Sequence, residues 1–280
     1  MHINSADHLW IVSGSARMSE GRWTMATIDK NIDESEILKF ETAASRWWDR
    51  EGEFSALHDI NETRVRYINA RAGLAGKQVL DIGCGGGILS EAMAKIGAQV
   101  TGIDAGKGPL EIARNHMVEK GLKIDYRQVT AEAFAVSHSQ RYDIVTCLEL
   151  LEHVPKPWSI INACKNLVKP GGHVFFATLN RNPLSYLLAI LAAEYFLGLV
   201  PKGTHRYNRF IKPSEMIQWA QAVQLTLKNV SGLLYIPLLR RCILGGPPCV
   251  NYMAHFMQFG ETSLDELVKG QLQDVANSVE

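Results

Sequence analysis

The chain has 280 residues, 46% of them hydrophobic, enough to bury one large α/β core with extensions, and no Gly/Ser- or Pro-rich linker divides it. Lys and Arg total 29 and Asp and Glu total 29, so formal net charge is zero; a global basic field for holding nucleic acid is excluded and any polyanion affinity is local.

Residues 1–24 carry no basic segment ahead of the short apolar run Leu9-Trp10-Ile11-Val12, so a secretory signal is not expected. Residues 1–34 read as a disordered leader, or residues 1–24 as sequence upstream of an initiation at Met25. The five cysteines, Cys84, Cys147, Cys164, Cys242 and Cys249, include no C-x-x-C pair, as in a reduced, cytoplasmic protein. From Ser35 to Ala72 apolar residues recur at helical spacing, with Phe40, Trp47, Trp48, Phe54, Ile60, Val65 and Ile68 inward, which predicts two or three helices. Trp47 and Trp48 either line a substrate pocket or staple these helices to the core.

Strand and helix signals then alternate. Strands are predicted at Gln78 to Ile82, Gln99 to Ile103, Ile124 to Gln128, Asp143 to Cys147 and His173 to Thr178, with late strands near Leu225 to Val230 and Tyr252 to Phe256. Alternation of this kind predicts a mainly parallel, doubly wound sheet. The turn Val168-Lys169-Pro170-Gly171-Gly172 ends a helix before the fifth strand.

The first strand ends in Asp81-Ile82-Gly83-Cys84-Gly85-Gly86-Gly87, with a helix from Ser90 to Ile96 behind it. Glycines at this place let a cofactor lie against the backbone at a strand's C-terminal end. Ile88 stands where the last glycine of a dinucleotide G-x-G-x-x-G would fall, and no Gly-Lys-Ser/Thr follows, so neither a dinucleotide fingerprint nor a P-loop is present. The second strand ends in Asp104, a carboxylate placed to accept bonds from both ribose hydroxyls. Together these features resemble the class I S-adenosylmethionine-dependent methyltransferases, whose first strand ends in D-x-G-x-G-x-G and whose second ends in an acid.

The fourth strand runs into Leu148-Glu149-Leu150-Leu151-Glu152-His153-Val154-Pro155. With a helix beginning near Leu148, Glu149, Glu152 and His153 stand at i, i+3 and i+4 on one face. Two carboxylates and an imidazole there suit a hard divalent ion such as Mg²⁺, with His153 as ligand or general base. The other reading is a solvated helix start with His153 hydrogen-bonded near Pro155. Arg64 lies on a helix that can fold over the crevice, where its guanidinium can hold a carboxylate in bidentate fashion. Leu148 is either an adenosyl contact or core.

Leu184 to Val200 is apolar almost all round, interrupted by Glu194, and short of the roughly 20 residues a bilayer span takes. Lys202, His205, Arg206, Arg209 and Lys212 follow with no acid among residues 201–213. The pair suits an interface with anionic lipid, or else a core helix with a basic loop. The tail 259–280 is acidic and helical in pattern.

Phe40-Glu41-x-x-Ala44-Ser45-Arg46-Trp47-Trp48-Asp49, Leu57-His58-x-Ile60-Asn61, Leu151-Glu152-His153-Val154-Pro155, Thr178-Leu179-Asn180-Arg181-Asn182, Val200-Pro201-Lys202-Gly203-Thr204-His205 and Val250-Asn251-Tyr252-Met253 closely resemble the ubiquinone-biosynthesis O-methyltransferase family, over about Ile37 to Gln258. The resemblance implies a Rossmann-like α/β fold, a doubly wound, mainly parallel seven-stranded sheet with N-terminal helices, over residues 35–258. It places a hydrophobic and basic insertion after strand 5, at about 183–212. It implies O-methylation of a 2-polyprenyl-6-hydroxyphenol and a 3-demethylubiquinol, S-adenosylmethionine as methyl donor, and contacts to it from Arg64, Gly83, Asp104 and Leu148. Metal ligands of relatives fall on Glu149, Glu152 and His153, and His153 is the catalytic candidate. It also implies a prenylated phenol or quinol as partner, a peripheral position at the inner face of the plasma membrane, and a quinone-biosynthesis complex. A soluble catechol O- or C-methyltransferase on the same fold, and a non-catalytic S-adenosylmethionine-binding protein, are the competing readings.

Overall fold

The computed structural model describes residues 18–19, 22–23, 31–186 and 207–259. The chain divides into units 1–31 and 32–280. In the first, Met18–Ser19 pairs antiparallel with Arg22–Trp23; the rest of the expected leader up to residue 30 lies outside the described residues, as do residues 187–206 of the apolar and basic insertion and the acidic tail from residue 260.

The second unit opens with α1 (Glu34–Ala43), which starts where the Asp33 carboxylate accepts the Ser35 backbone N–H at 3.0 Å. Asp33 and Glu34 therefore belong to the folded unit and not to a leader. A 3₁₀ turn (Ala44–Arg46) carries the chain to α2 (Ser55–Ala72), which buries Ile60, Val65, Tyr67 and Ile68 and ends at Gly73 in the left-handed region (φ 63°).

Strands β1 (Gln78–Ile82), β2 (Gln99–Asp104), β3 (Asp125–Gln128), β4 (Tyr142–Leu148) and β5 (Val168–Leu179) then alternate with α3 (Ile88–Lys95), α4 (Lys107–Glu119), α5 (Ala131–Ala135) and α6 (Pro157–Leu167). All five pair in parallel, in the order β3-β2-β1-β4-β5. After α7 (Pro213–Ala222) come β6 (Leu225–Ile236), β7 (Arg241–Leu244) and β8 (Asn251–Gln258), with β8 antiparallel between β5 and β6 and β7 at the edge.

The seven expected strands are thus joined by an eighth. It forms because Arg240 turns the chain in the left-handed region (φ 48°) while its guanidinium bonds Asp59 and Glu51, anchoring the β6–β7 hairpin to α2 and the loop before it. The charged pair Arg240-Arg241 hid this edge strand from hydrophobic patterning. The fifth strand also starts five residues earlier than expected, at Val168, taking the Lys-Pro-Gly-Gly turn into its first part.

Side chains of the central strands alternate between two buried layers, as period-two geometry requires. Leu80, Ile82, Val145, Cys147, Val174 and Phe176 meet α5, α6 and α7 on one face; Val79, Val100, Ile144, Phe175 and Ala177 meet residues of α2, α3 and α4 on the other. A sheet covered on both faces leaves its C-terminal edge as the open crevice, and Asp81, Asp104 and Leu148 all lie toward that edge. Among the described residues no helix is long and apolar enough to cross a membrane.

Candidate active site

The turn after β1 is held from beneath by a buried carboxylate. Asp81 accepts Ser90 Oγ at 2.6 Å and Thr146 Oγ1 at 2.8 Å, tying β1 to α3 and β4, and burial pushes its carboxyl up to about 6 against those two bonds. Gly83, Gly85 and Gly87 all have positive φ (71°, 51° and 88°). At Gly85 a side chain is excluded twice: the dihedral is left-handed, and a Cβ would lie 2.2 Å from Trp47 Cζ2.

The turn is wired to β2 through Asp104, whose Oδ2 accepts the Gly85 N–H at 2.9 Å and whose Oδ1 accepts the Gly106 N–H at 2.8 Å. A carboxylate has about four lone-pair sites, so acceptor capacity remains for a ribose hydroxyl. Burial raises the Asp104 carboxyl despite these N–H donors.

The N-terminal segment lies over this turn. Trp47 is buried, stacks on Phe54 with centroids 4.2 Å apart and covers Gly85 and Gly86. Trp48 Nε1 donates to the Gly86 carbonyl at 3.0 Å and its ring stacks on His116. The two indoles therefore staple α1 and its 3₁₀ turn to the glycine loop. Glu41 completes the attachment by accepting the Lys107 and Gly108 N–H groups at 2.6 and 2.8 Å, capping α4 with a carboxylate from another element.

At the end of β4 the structure departs from the expected helix. Leu148 still belongs to the strand and is buried, Glu149 takes the left-handed region (φ 55°), and helical geometry begins only with a 3₁₀ turn over Leu151–His153. Glu149, Glu152 and His153 therefore do not share one helical face. Arg64, 5% exposed, ion-pairs with Glu149 Oε1, which also accepts Asn251 Nδ2 at 3.1 Å. His153 Nδ1 is hydrogen-bonded to Glu36 Oε2 at 2.9 Å, with the ring edge-on to Phe40. With Glu149 ion-paired to Arg64 and the three side chains off any common helical face, they do not form a metal ligand set, and no group of three His, Cys, Asp or Glu among the described residues is placed to hold an ion.

The electrostatics separate these groups. Glu152, 5% exposed, is pushed up to about 7, first by burial and then by the neighbouring Glu149 charge, while His153 pulls the other way. Burial alone would lower His153, but Glu36 and the carboxylates of Glu152 and Glu149 outweigh it, and the imidazole titrates above its ordinary value. Glu36 in turn is held down at about 2, its burial being outweighed by bonds from His153 and Lys39.

The crevice thus brings together all the residues expected there, with Gly83 and Asp104 on the β1–β2 side and Leu148, Glu149, Glu152 and His153 on the β4 side. Arg64 lies near enough to Asp81 to favour its charged form. Glu36 and Glu41 were not foreseen: each reads as an ordinary glutamate of an amphipathic helix, and only the tertiary contact distinguishes it. Arg209, expected in a basic lipid-facing stretch, pairs with Asp33 at 2.5 Å, and Lys212 precedes α7 as its N-cap.

A family model described as a methyltransferase domain matches residues 57–230. The chain is 58% identical over 223 residues, 80% of its length, to the ubiquinone biosynthesis O-methyltransferase of Stutzerimonas stutzeri, covering 96% of that protein. The relative of the same name from Pseudomonas entomophila is 56% identical over the same shares. Among solved structures, magnesium protoporphyrin IX methyltransferase from Synechocystis with bound S-adenosylhomocysteine superposes with a TM-score of 0.59 at 16% identity, covering 81% of this chain and 100% of that one. A possible histamine N-methyltransferase from Thermotoga maritima gives a TM-score of 0.57 at 14% identity, over 81% of this chain and 100% of that one. At such identities these two show the shared fold.

Proposed function

The chain belongs to the ubiquinone biosynthesis O-methyltransferase family, and from that premise we propose that it methylates phenolic oxygens in ubiquinone biosynthesis, on a 2-polyprenyl-6-hydroxyphenol and on a 3-demethylubiquinol, using S-adenosylmethionine. The observation that carries the reading is the glycine turn tied to Asp104 by the Gly85 N–H, with an acid–imidazole cluster across the same crevice.

The residues fit the donor. Asp104 has acceptor capacity for the ribose hydroxyls, and Leu148 lies at the strand end where the adenosyl group would rest, while the glycine turn itself is packed by Trp47, Leu150 and Tyr126. Arg64 keeps a buried Nε without a partner, a donor available to the methionine carboxylate. The donor's chemistry is that of an electrophilic methyl on a sulfonium centre.

The chain's own contribution is to place the acceptor and remove a proton. A phenol ordinarily titrates near 10, so the oxygen needs a base at neutral pH. His153, held through Nδ1 by Glu36, presents Nε2 for that proton, with the poised carboxyl of Glu152 beside it. With the donor bound, the phenolate oxygen would take its methyl carbon as the S–C bond gave its electron pair to sulfur, and His153 would keep the proton on its imidazole. Holding oxygen, carbon and sulfur in line lowers the barrier by up to about 7–11 kcal/mol in well-oriented cases. No step here passes through a metal.

The prenyl tail distinguishes this reading from a soluble catechol methyltransferase. Initial rates with a short-chain prenyl catechol and with catechol itself are the test: the proposal expects kcat/KM to favour the prenylated acceptor by more than tenfold, and equal values would refute it. A peripheral membrane position belongs to the same reading, with the apolar and basic insertion as contact, and flotation with anionic liposomes checks it.

A further inference from the structure

Large apolar side chains on the surface are unevenly distributed. Of the twelve exposed among the described residues, four, Leu234, Leu238, Leu239 and Ile243, fall on the short β6–β7 hairpin, and Leu238 at its tip is 90% exposed. Scattered singly such residues need no explanation; gathered on one element they mark a contact surface. The two faces of the hairpin differ in what they meet. Tyr235 and Cys242 are register partners and pack against the core cluster that includes α2, whereas the partners Leu234 and Ile243 alternate to the other face and stay exposed. A hairpin face turned to water ordinarily carries polar residues, and this one carries leucine and isoleucine.

Leu179, Asn251 and Leu233 stand in register across β5, β8 and β6, at the crevice edge of the sheet. β6 runs three residues past that level to Ile236, about 10 Å at about 3.3 Å per residue, before the 3₁₀ turn Pro237–Leu239 presents the two leucines. The tip is held in place. Tyr235 OH donates to Asp59 at 2.6 Å, and the Arg240 guanidinium donates to Asp59 at 3.0 Å, to the Arg50 carbonyl at 2.7 Å and to Glu51. Those bonds spend the acids beside the tip on one arginine, while the side chains of Arg50 and Arg241 stay exposed. The loop after β7 is tied to the start of the insertion: Asn180 and Asn182 donate to the Pro248 and Cys249 carbonyls at 2.6 and 2.7 Å, and Leu184 and Tyr186 just beyond are exposed as well. The apolar tip is thus continuous with the segment that reads as lipid-facing.

We propose that the β6–β7 hairpin is a preformed wedge for a lipid bilayer, with Leu238 and Leu239 entering the acyl region and Arg50 and Arg241 at the level of the phosphates, and that it sets the mouth of the crevice against the membrane. That a prenylated ring arrives there rests on the methyltransferase reading above; the wedge itself is a lipid contact on other residues, and of other chemistry, than the basic insertion, because transfer of leucine into hydrocarbon gains nothing from lipid charge. A second copy of the chain is a poorer occupant. β7 offers four residues of sheet edge, opens with Arg241 and is followed by Gly245-Gly246-Pro247-Pro248, whose prolines lack the N–H to extend a ladder.

The experiment compares the full chain with its L238S/L239S and L238M/L239M variants by co-sedimentation with vesicles of phosphatidylcholine, alone and mixed with phosphatidylglycerol, and by thermal unfolding and sedimentation velocity without lipid. The serine variant should lose about tenfold or more in partition coefficient on both vesicle types, the methionine variant should bind as wild type does, and unfolding temperature and sedimentation should not change. Partition on phosphatidylcholine that is absent in wild type or unchanged in the serine variant overturns the wedge, as does a loss confined to anionic vesicles. A lower unfolding temperature in the serine variant would show the leucines covered by the chain itself, and self-association of wild type that the variant lacks would show a second copy on the hairpin; either also overturns it. Turnover of a water-soluble short-chain prenyl catechol, expected to be equal in all three proteins, tests the functional reading by itself, and its failure in wild type would leave the vesicle result standing.

Discussion

Gly85→Ala is the sharpest test of how the N-terminal segment is joined to the crevice. The new Cβ would stand 2.2 Å from Trp47 Cζ2 and 2.7 Å from Cη2, on a residue with φ 51°. The left-handed dihedral alone costs about 1–2 kcal/mol for a residue with a Cβ. The clash forces the indole off the loop, and losing the packing of a buried tryptophan costs about 3–5 kcal/mol, as in a Trp→Ala change. Part of that is the stack on Phe54 at 4.2 Å, of the kind worth about 0.5–1.5 kcal/mol beyond area.

Gly85→Ala should therefore destabilise by about 4 kcal/mol or more, and Trp47→Ala by about 3–5 kcal/mol. Once Trp47 is absent, however, the clash with it is gone and the alanine adds chiefly the dihedral term, so the double variant should lose about 4–7 kcal/mol in place of an additive sum of about 7–12 kcal/mol. Urea unfolding followed by far-ultraviolet circular dichroism measures all four proteins without relying on the tryptophan signal. Additive losses would show that Trp47 does not rest on Gly85, and the stapling account would fall.

Three other outcomes follow from the same geometry. Asp104→Ala removes the ribose acceptor and the partner of two backbone N–H groups, and because a bond to a charged group is worth about 1.5–3 kcal/mol, calorimetry should show S-adenosylmethionine binding weakened by at least about tenfold. Asp81 titrates at about 6 in the fold against an ordinary 3.8, so the folded state binds the proton more tightly and stability falls as pH rises between those values. The difference amounts to about 3 kcal/mol. Asp81→Asn should flatten that part of the wild-type stability profile, and an unchanged slope would show that the buried carboxyl is not its source. Arg240→Ala should speed amide hydrogen exchange in Leu233–Ile236 and Arg241–Leu244, leaving β1 and β4 as protected as before.

The core of the fold was legible because its physics is local. Val79, Leu80 and Ile82, or Ile144, Val145 and Cys147, form apolar runs that fit only strands buried on both faces, and glycine spacing with Asp104 in register identified the cofactor side of the crevice. The helix expected from Leu148 failed for an equally physical reason. Glu149 sits in a left-handed turn that its sequence does not signal, held by Arg64 from α2 and Asn251 from β8, residues 85 and 102 positions away. Glu36, which orients His153 from 117 residues upstream, was hidden in the same way.

The most direct measurement of the central claim is a single-turnover reaction of the purified protein with trideuteromethyl-labelled S-adenosylmethionine and short-chain analogues of the two acceptors, analysed by mass spectrometry with fragmentation. The account predicts the labelled methyl on a phenolic oxygen of both analogues, and loss of that product in His153→Ala without loss of donor binding. Label on ring carbon, or donor binding with no labelled product from either acceptor, would contradict it.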